Sequence, residues 1–321
     1  MTSPPPFAPA RRLTHPHLQT TYASLFARAP RVAYRRERWE TPDGDFVDVD
    51  FVDGIPGAPS VHLFHGLEGS SRSHYARMLM HMVHARGWNG SVLNFRGCSG
   101  EPNRLPRAYH SGDSEEVDWV LRRLKRQLGD FPLFAVGVSL GGNALLKWLG
   151  ERGDGAGELV DRAAAVSAPM DLMAGGDALG HGLAILYARH FLVTLKRHTA
   201  NKGERFPGLF DAERVHRART LRDFDNVFTA PVHGFRDTDD YWTRASSKPW
   251  LGAIRVPTLV VNARDDPFLP ESALPTEREV SDAVTLEFTS RGGHVGFVSG
   301  PFPGDIEWLP RRLLHFFEHR Q

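Results

Sequence analysis

Ser139 stands in Gly137-Val138-Ser139-Leu140-Gly141-Gly142, after the apolar run 133–138 and before a helical pattern, Ala144-Leu145-Leu146-Lys147-Trp148-Leu149. Glycine on both sides of a strand-to-helix turn lets the chain bend so tightly that the central hydroxyl is held out above a sheet. The N-terminus of the next helix then lies beneath it, where the Leu140 N–H and the helix dipole can stabilise developing negative charge. That is equipment for nucleophilic attack on a carbonyl. An incidental serine in a glycine-rich turn is the plainer alternative, and the strand–turn–helix context weighs against it. A phosphate loop does not fit, because no Gly-Lys-Ser/Thr follows.

A serine hydroxyl needs a base to take its proton. In this architecture the order along the chain is serine, acid, histidine. His294 meets the requirement, in Ser290-Arg291-Gly292-Gly293-His294-Val295-Gly296-Phe297 directly after the apolar run 284–288. His315 and His319 come later but fall in a terminal helical pattern, 305–319. The acid should follow the preceding strand, 258–262, where Asp265 and Asp266 adjoin before Pro267. Neighbours on an extended loop point in different directions, and the proline biases Asp266 towards extended backbone. The residues alone leave both in play. Whichever serves would fix the tautomer of His294 and stabilise its imidazolium. A second oxyanion donor is expected from His65-Gly66-Leu67-Glu68-Gly69, after the run 61–64, so the N–H of Leu67 is paired with that of Leu140.

Something must hold these distant segments together. Short apolar runs at 61–64, 91–95, 133–138, 163–166, 258–262 and 284–288 read as strands buried on both faces. Amphipathic stretches at 73–86, 114–128, 141–151 and 305–319 alternate with them. Strand alternating with helix predicts right-handed crossovers and a mostly parallel sheet flanked by helices, an α/β fold. Before it, 35–41 and 46–53 are split by Pro42-Asp43-Gly44-Asp45, which is hairpin chemistry. The alternation breaks between about 171 and 249, where a helical pattern at 183–196 precedes mixed aromatic segments. An insertion of that length predicts a helical cap over the carboxyl ends of the strands, where ligands of open α/β sheets bind. The expected organisation is an N-terminal arm (1–34, with a short helix near 18–27), a core (35–170 and 250–321) and a cap (171–249).

Composition narrows the field of function. Of 321 residues, 39 are Lys or Arg and 38 Asp or Glu, and the net charge of +1 gives no field favouring nucleic acid. A single cysteine, Cys98, excludes an intrachain disulfide framework and cysteine-rich metal sites, and it suits a reducing compartment. Cys98 itself reads as a small buried residue rather than a nucleophile. No apolar run approaches a membrane span, and the N-terminus lacks the apolar core of a secretory signal. The expectation is a soluble, cytoplasmic protein.

Taken together the motifs resemble the α/β-hydrolase superfamily, and within it the YheT-like hydrolases, a branch that includes yeast ethyl-ester-forming esterases and related animal lipases. The resemblance is carried by His17-Leu18-Gln19-Thr20, by 65–69 and by Asn94-Phe95-Arg96-Gly97-Cys98-Ser99-Gly100. Tyr109-His110-Ser111-Gly112-Asp113, 137–143, Phe228-Thr229-Ala230-Pro231, His233-Gly234-Phe235, 265–267 and 293–297 continue it over nearly the whole chain. It implies Ser139, Asp266 and His294 as the triad, choosing Asp266 over Asp265. It also implies hydrolysis of carboxylic esters through an acyl-enzyme, with no metal or organic cofactor, on short- to medium-chain acyl esters or lipids. Transfer of the acyl group to an alcohol, and an inactive binding module on the same scaffold, are the competing functions.

Two further signals are weaker. His81 and His84, three apart on a predicted helix with His74 nearby, read as a solvated face rather than a metal site. The stretch 183–202 mixes Leu, Ile and Phe with Arg189, Lys196, Arg197 and Lys202. It suits either a lid helix with its apolar side inward or weak membrane-surface association. Oligomeric state leaves no mark in the sequence.

Overall fold

The structure, a computed structural model, describes residues 5–319, so the first four residues of the expected arm lie outside it. Eight strands form one sheet: β1 (Arg35–Glu40), β2 (Phe46–Val52), β3 (Ser60–Phe64), β4 (Asn89–Asn94), β5 (Leu133–Val138), β6 (Arg162–Val166), β7 (Thr258–Ala263) and β8 (Val284–Thr289). Their order is β1-β2-β4-β3-β5-β6-β7-β8. The hairpin β1–β2 joins β4 antiparallel, and every pair from β4 through β8 is parallel. All eight runs read from the sequence are strands, displaced by no more than two residues at an end.

The helices are α1 (Pro16–Leu25), α2 (His74–Ala85), α3 (Ser114–Leu128), α4 (Leu140–Arg152), α5 (Leu172–Leu179), α6 (Ala184–Arg205), α7 (Ala212–Arg217), α8 (Leu221–Phe224), α9 (Ala230–Val232), α10 (Thr238–Ala245) and α11 (Trp308–Glu318). One core, between the sheet and α3 with α4, is built by Val117, Val120, Leu121 and Leu124 against Phe64, Leu93 and Leu145. That spacing puts one stripe of α3 on the sheet. The opposite core takes Leu79, Met80 and Val83 of α2 together with Leu313, Leu314 and Phe317 of α11. The terminal helix begins at Trp308, three residues later than expected, because Asp305 is bridged to Ser299 in extended backbone.

Among the described residues, 171–249 adds helices and no strand. It holds two small clusters of its own, one around Leu192, Phe224 and Phe228 and one around Tyr241 and Trp242. Helix α6 runs nine residues beyond the predicted end at 196, and its buried stripe is Ala184, Ala188, Leu192, Thr199 and Lys202. The carboxyl end of this insertion is tied to the sheet's central helix. Asn143 is fully buried; its amide donates to the carbonyls of Ser111 and Ala245, and its carbonyl accepts from the Ser247 N–H, at 2.8, 2.8 and 2.9 Å.

Buried histidines make the core sensitive to acid. The His65 Nδ1–H donates to the Gly66 carbonyl at 2.7 Å, and Nε2 accepts from the Phe95 N–H at 3.1 Å, so no lone pair is left for a proton. Burial lowers His65 from 6.5 to about 4 and His62 to about 3. The unfolded chain protonates both near pH 6.5, whereas the folded chain does not until about pH 4 at His65 and about pH 3 at His62. Stability therefore falls as pH drops through that window, by about 1.4 kcal/mol per pH unit for each imidazole. Calorimetric melting at pH 7, 6, 5 and 4.5 should show a progressive decline; a flat profile would contradict this burial.

Candidate active site

Ser139 links β5 to α4 with φ 52° and ψ −120°, a left-handed conformation that only a crowded, well-braced turn sustains. The crowding explains the flanking glycines. A Cβ on Gly137 would lie 2.5 Å from the Gly141 carbonyl oxygen, and one on Gly141 would collide with the Phe64 carbonyl. Backbone pairing persists through the turn, since the Ser139 N–H donates to the Val166 carbonyl at 2.8 Å. The result is a hydroxyl standing at the carboxyl edge of the central strands.

His294 and Asp266 reach the same point from two later loops. The Ser139 Oγ lies 2.9 Å from His294 Nε2. On the other side of the ring, Nδ1 is 2.9 and 3.2 Å from the two Asp266 oxygens. The Asp266 carboxylate is fully enclosed, and its Oδ1 also accepts from the Phe268 N–H at 2.8 Å. Asp265 faces elsewhere, accepting from the Gly293 N–H at 3.0 Å, and burial beside Asp266 raises its pKa. Geometry thus separates the two neighbouring acids.

The loop 65–67 touches the serine directly: a Cβ on Gly66 would sit 3.0 Å from that of Ser139. Its shape is held by Tyr75, whose hydroxyl accepts from the Gly66 N–H at 2.9 Å, and by Tyr109, which accepts from the Glu68 N–H at 2.8 Å. The N–H of Leu67 has no protein acceptor among the described residues, and Leu140, as the first residue of α4, lacks an intrahelical one. Leu67, Leu140, Ser139 and His294 line one cavity of about 160 Å³. Two free amides beside an activated hydroxyl can bind the oxyanion that forms when it attacks a carbonyl.

Most of the cavity wall comes from the insertion. Leu172, Leu179, Phe191, Phe228 and Trp242 make it apolar, whereas Glu68 and His198 approach to 3.2 Å in its wall. Burial acts to raise the Glu68 pKa, but His198 and Tyr109 outweigh it and hold the carboxyl below its usual value. Asp225, bonded by Thr229 and the Trp242 indole N–H, is raised by burial to about 6. The ring of Phe268 stacks on His294 with centroids 4.0 Å apart. Sequence reasoning passed over Phe268 and Glu68, although both sit in the motifs that supplied the acid and the oxyanion loop.

The secondary candidates fall outside this cluster. Cys98 is half-buried rather than buried, with its thiol pKa raised by burial, as expected of an unreactive residue. His81 and His84 are exposed on α2. Helix α6 lines the cavity with Phe191, Leu195 and Thr199, while Leu183, Leu186 and Val193 are exposed outside.

Residues 59–301 match the family described as alpha/beta hydrolase fold. The chain is 40% identical to YheT of Escherichia coli over 96% of its own length and 91% of that protein. It is 31% identical to the phospholipase ABHD3 of Homo sapiens, over 94% of this chain and 75% of that one. With the monoacylglycerol lipase of Saccharomyces cerevisiae it shares 29% identity, over 82% and 59%. Among solved structures, a Pyrococcus furiosus esterase superposes with a TM-score of 0.57 at 18% identity, covering 91% of this chain and 97% of that one, a likeness of fold alone.

Proposed function

The chain belongs to the alpha/beta hydrolase fold family and is a carboxylic ester hydrolase, and from that premise we propose that Ser139, His294 and Asp266 carry out the reaction through an acyl-enzyme. The observation that carries this reading is the unbroken line from Ser139 Oγ through the imidazole to Asp266, with both links at 2.9 Å. His294 Nε2 takes the serine proton as Oγ bonds to the ester carbonyl carbon. The carbonyl oxygen becomes an oxyanion held by the Leu67 and Leu140 amides. Collapse breaks the bond to the alcohol oxygen, which leaves with the proton from His294. Water then gives a proton to the same imidazole and attacks the acyl carbon; the bond to Ser139 Oγ breaks, Oγ takes the proton back from His294, and the acid leaves.

The size of the cavity supports short- to medium-chain acyl groups. A void of about 150 Å³ accommodates a benzene ring; this one, of about 160 Å³, is of similar capacity. With p-nitrophenyl esters of graded length, kcat/KM should be higher for short- to medium-chain acyl groups than for long ones. A fluorophosphonate probe should label Ser139, with the site identified by mass spectrometry. No labelling of the native protein would favour a binding module instead. Apolar walls that exclude water also favour capture of the acyl group by an alcohol. If added ethanol yields only free acid at every concentration, transfer is unsupported.

The exposed Leu183, Leu186 and Val193, beside exposed Arg189 and Arg197, support weak association with an anionic lipid surface. The single thiol supports a reducing, cytoplasmic setting.

A further inference from the structure

The histidine loop is strained, and part of its restraint comes from the other end of the chain. Val295 and Phe297 both have positive φ, 55° and 41°, which costs free energy for residues carrying a Cβ and persists only where neighbours over-determine the backbone. Helix α1 supplies part of that restraint, alongside the Ser167 hydroxyl, which accepts from the Val295 N–H at 3.1 Å. The His294 N–H donates to the Thr20 hydroxyl at 2.9 Å, and that hydroxyl donates to the Pro16 carbonyl at 2.9 Å. Gln19, fully buried, satisfies both backbone groups of Val298: its carbonyl accepts the N–H at 2.7 Å and its amide donates to the C=O at 3.1 Å. A second bond from the same amide goes to the Leu13 carbonyl. The side chain therefore pairs with residue 298 as a neighbouring strand would.

Contact is close enough to dictate sequence. A Cβ on Gly293 would fall 2.5 Å from the Pro16 carbonyl oxygen and 2.7 Å from Thr20 Oγ1, and one on Gly296 would fall 2.6 Å from the Gln19 carbonyl oxygen. The brace also extends over the ring itself. His17 Nδ1 lies 3.1 Å from the Tyr187 hydroxyl of α6, and Tyr187 lies against Phe268, which stacks on His294.

We infer that Gln19 and Thr20 are positioning residues for His294, so that the amino-terminal helix is a working part of the active site rather than an appendage to the fold. This rests on His294 being the base. Proton transfer over 2.9 Å tolerates little displacement, and a misplacement of about 1 Å can cost about 100-fold in rate.

The test compares Thr20→Val, Thr20→Ser and Gln19→Leu in the full chain, with melting curves to set an assay temperature at which each is folded. Thr20→Val keeps the shape and removes the acceptor, so kcat should fall about 10- to 100-fold with KM little changed. Gln19→Leu should act in the same direction. Thr20→Ser retains the hydroxyl and should keep kcat within about twofold. Wild-type kcat in folded Thr20→Val and Gln19→Leu would overturn the inference, as would an equal loss in Thr20→Ser. Ser139→Ala in the same series separates the two levels. If it is inactive while Thr20→Val is unaffected, only the positioning role fails; if it is fully active, both fail.

Discussion

Replacing Ser139 by alanine is expected to reduce kcat by about a millionfold while leaving the melting temperature close to that of the native protein. The side chain's hydrogen bond is to His294, and it plugs no part of either core. The turn itself is held by Gly137, Gly141 and the bond from the Ser139 amide to Val166, all of which alanine preserves. What disappears is the atom that bonds to the acyl carbon. Residual turnover would come from water in a site whose amides still stabilise the oxyanion. Steady-state kinetics on p-nitrophenyl esters, with intact-mass detection of the acyl-enzyme, measures both consequences. A folded variant with native turnover would remove the mechanism.

Asp266→Asn should cost about 10⁴-fold in kcat, because an amide placed against Nδ1 can donate to it and hold the proton on Nε2, facing the serine. The neighbouring change Asp265→Asn should stay within a few-fold of the native rate. Asparagine retains the oxygen that accepts from the Gly293 N–H, and it removes a buried carboxyl whose ionisation burial already opposes. Side-by-side kinetics of the two variants discriminates the acids directly. Equal losses would mean that the loop, rather than one carboxylate, is what the imidazole needs.

The strands of the sheet were legible because β3 to β7 are covered by helices on both faces and therefore appear as short continuous apolar runs. Ser139 was legible for a related reason: it follows such a run directly, so its height above the sheet is set by local geometry. His294 stands on the loop after the partly buried edge strand β8 and was legible by its order in the chain. Asp265 and Asp266 were not separable by residue type, since the difference lies in which oxygen meets an imidazole 28 positions away. The proposed oxyanion donors are main-chain groups with no side-chain signature. The short helices α7, α8 and α9, of three to six residues, are too brief to show a period. Hardest of all was the purpose of Gln19 and Thr20, whose partners lie 279 and 274 residues onward. Hydrogen bonds over such separations impose no local pattern.

Asn143 fastens the strand-side root of the helical insertion to the same helix that carries the nucleophile's turn. Substitutions between that root and residue 171, Tyr187 apart, can accordingly reshape the cavity walls while Ser139 and His294 stay in register. Selectivity and chemistry become separately adjustable properties of one chain, so exchanging this insertion for a relative's, with Tyr187 kept against Phe268, should transplant its chain-length preference onto an unaltered reaction centre.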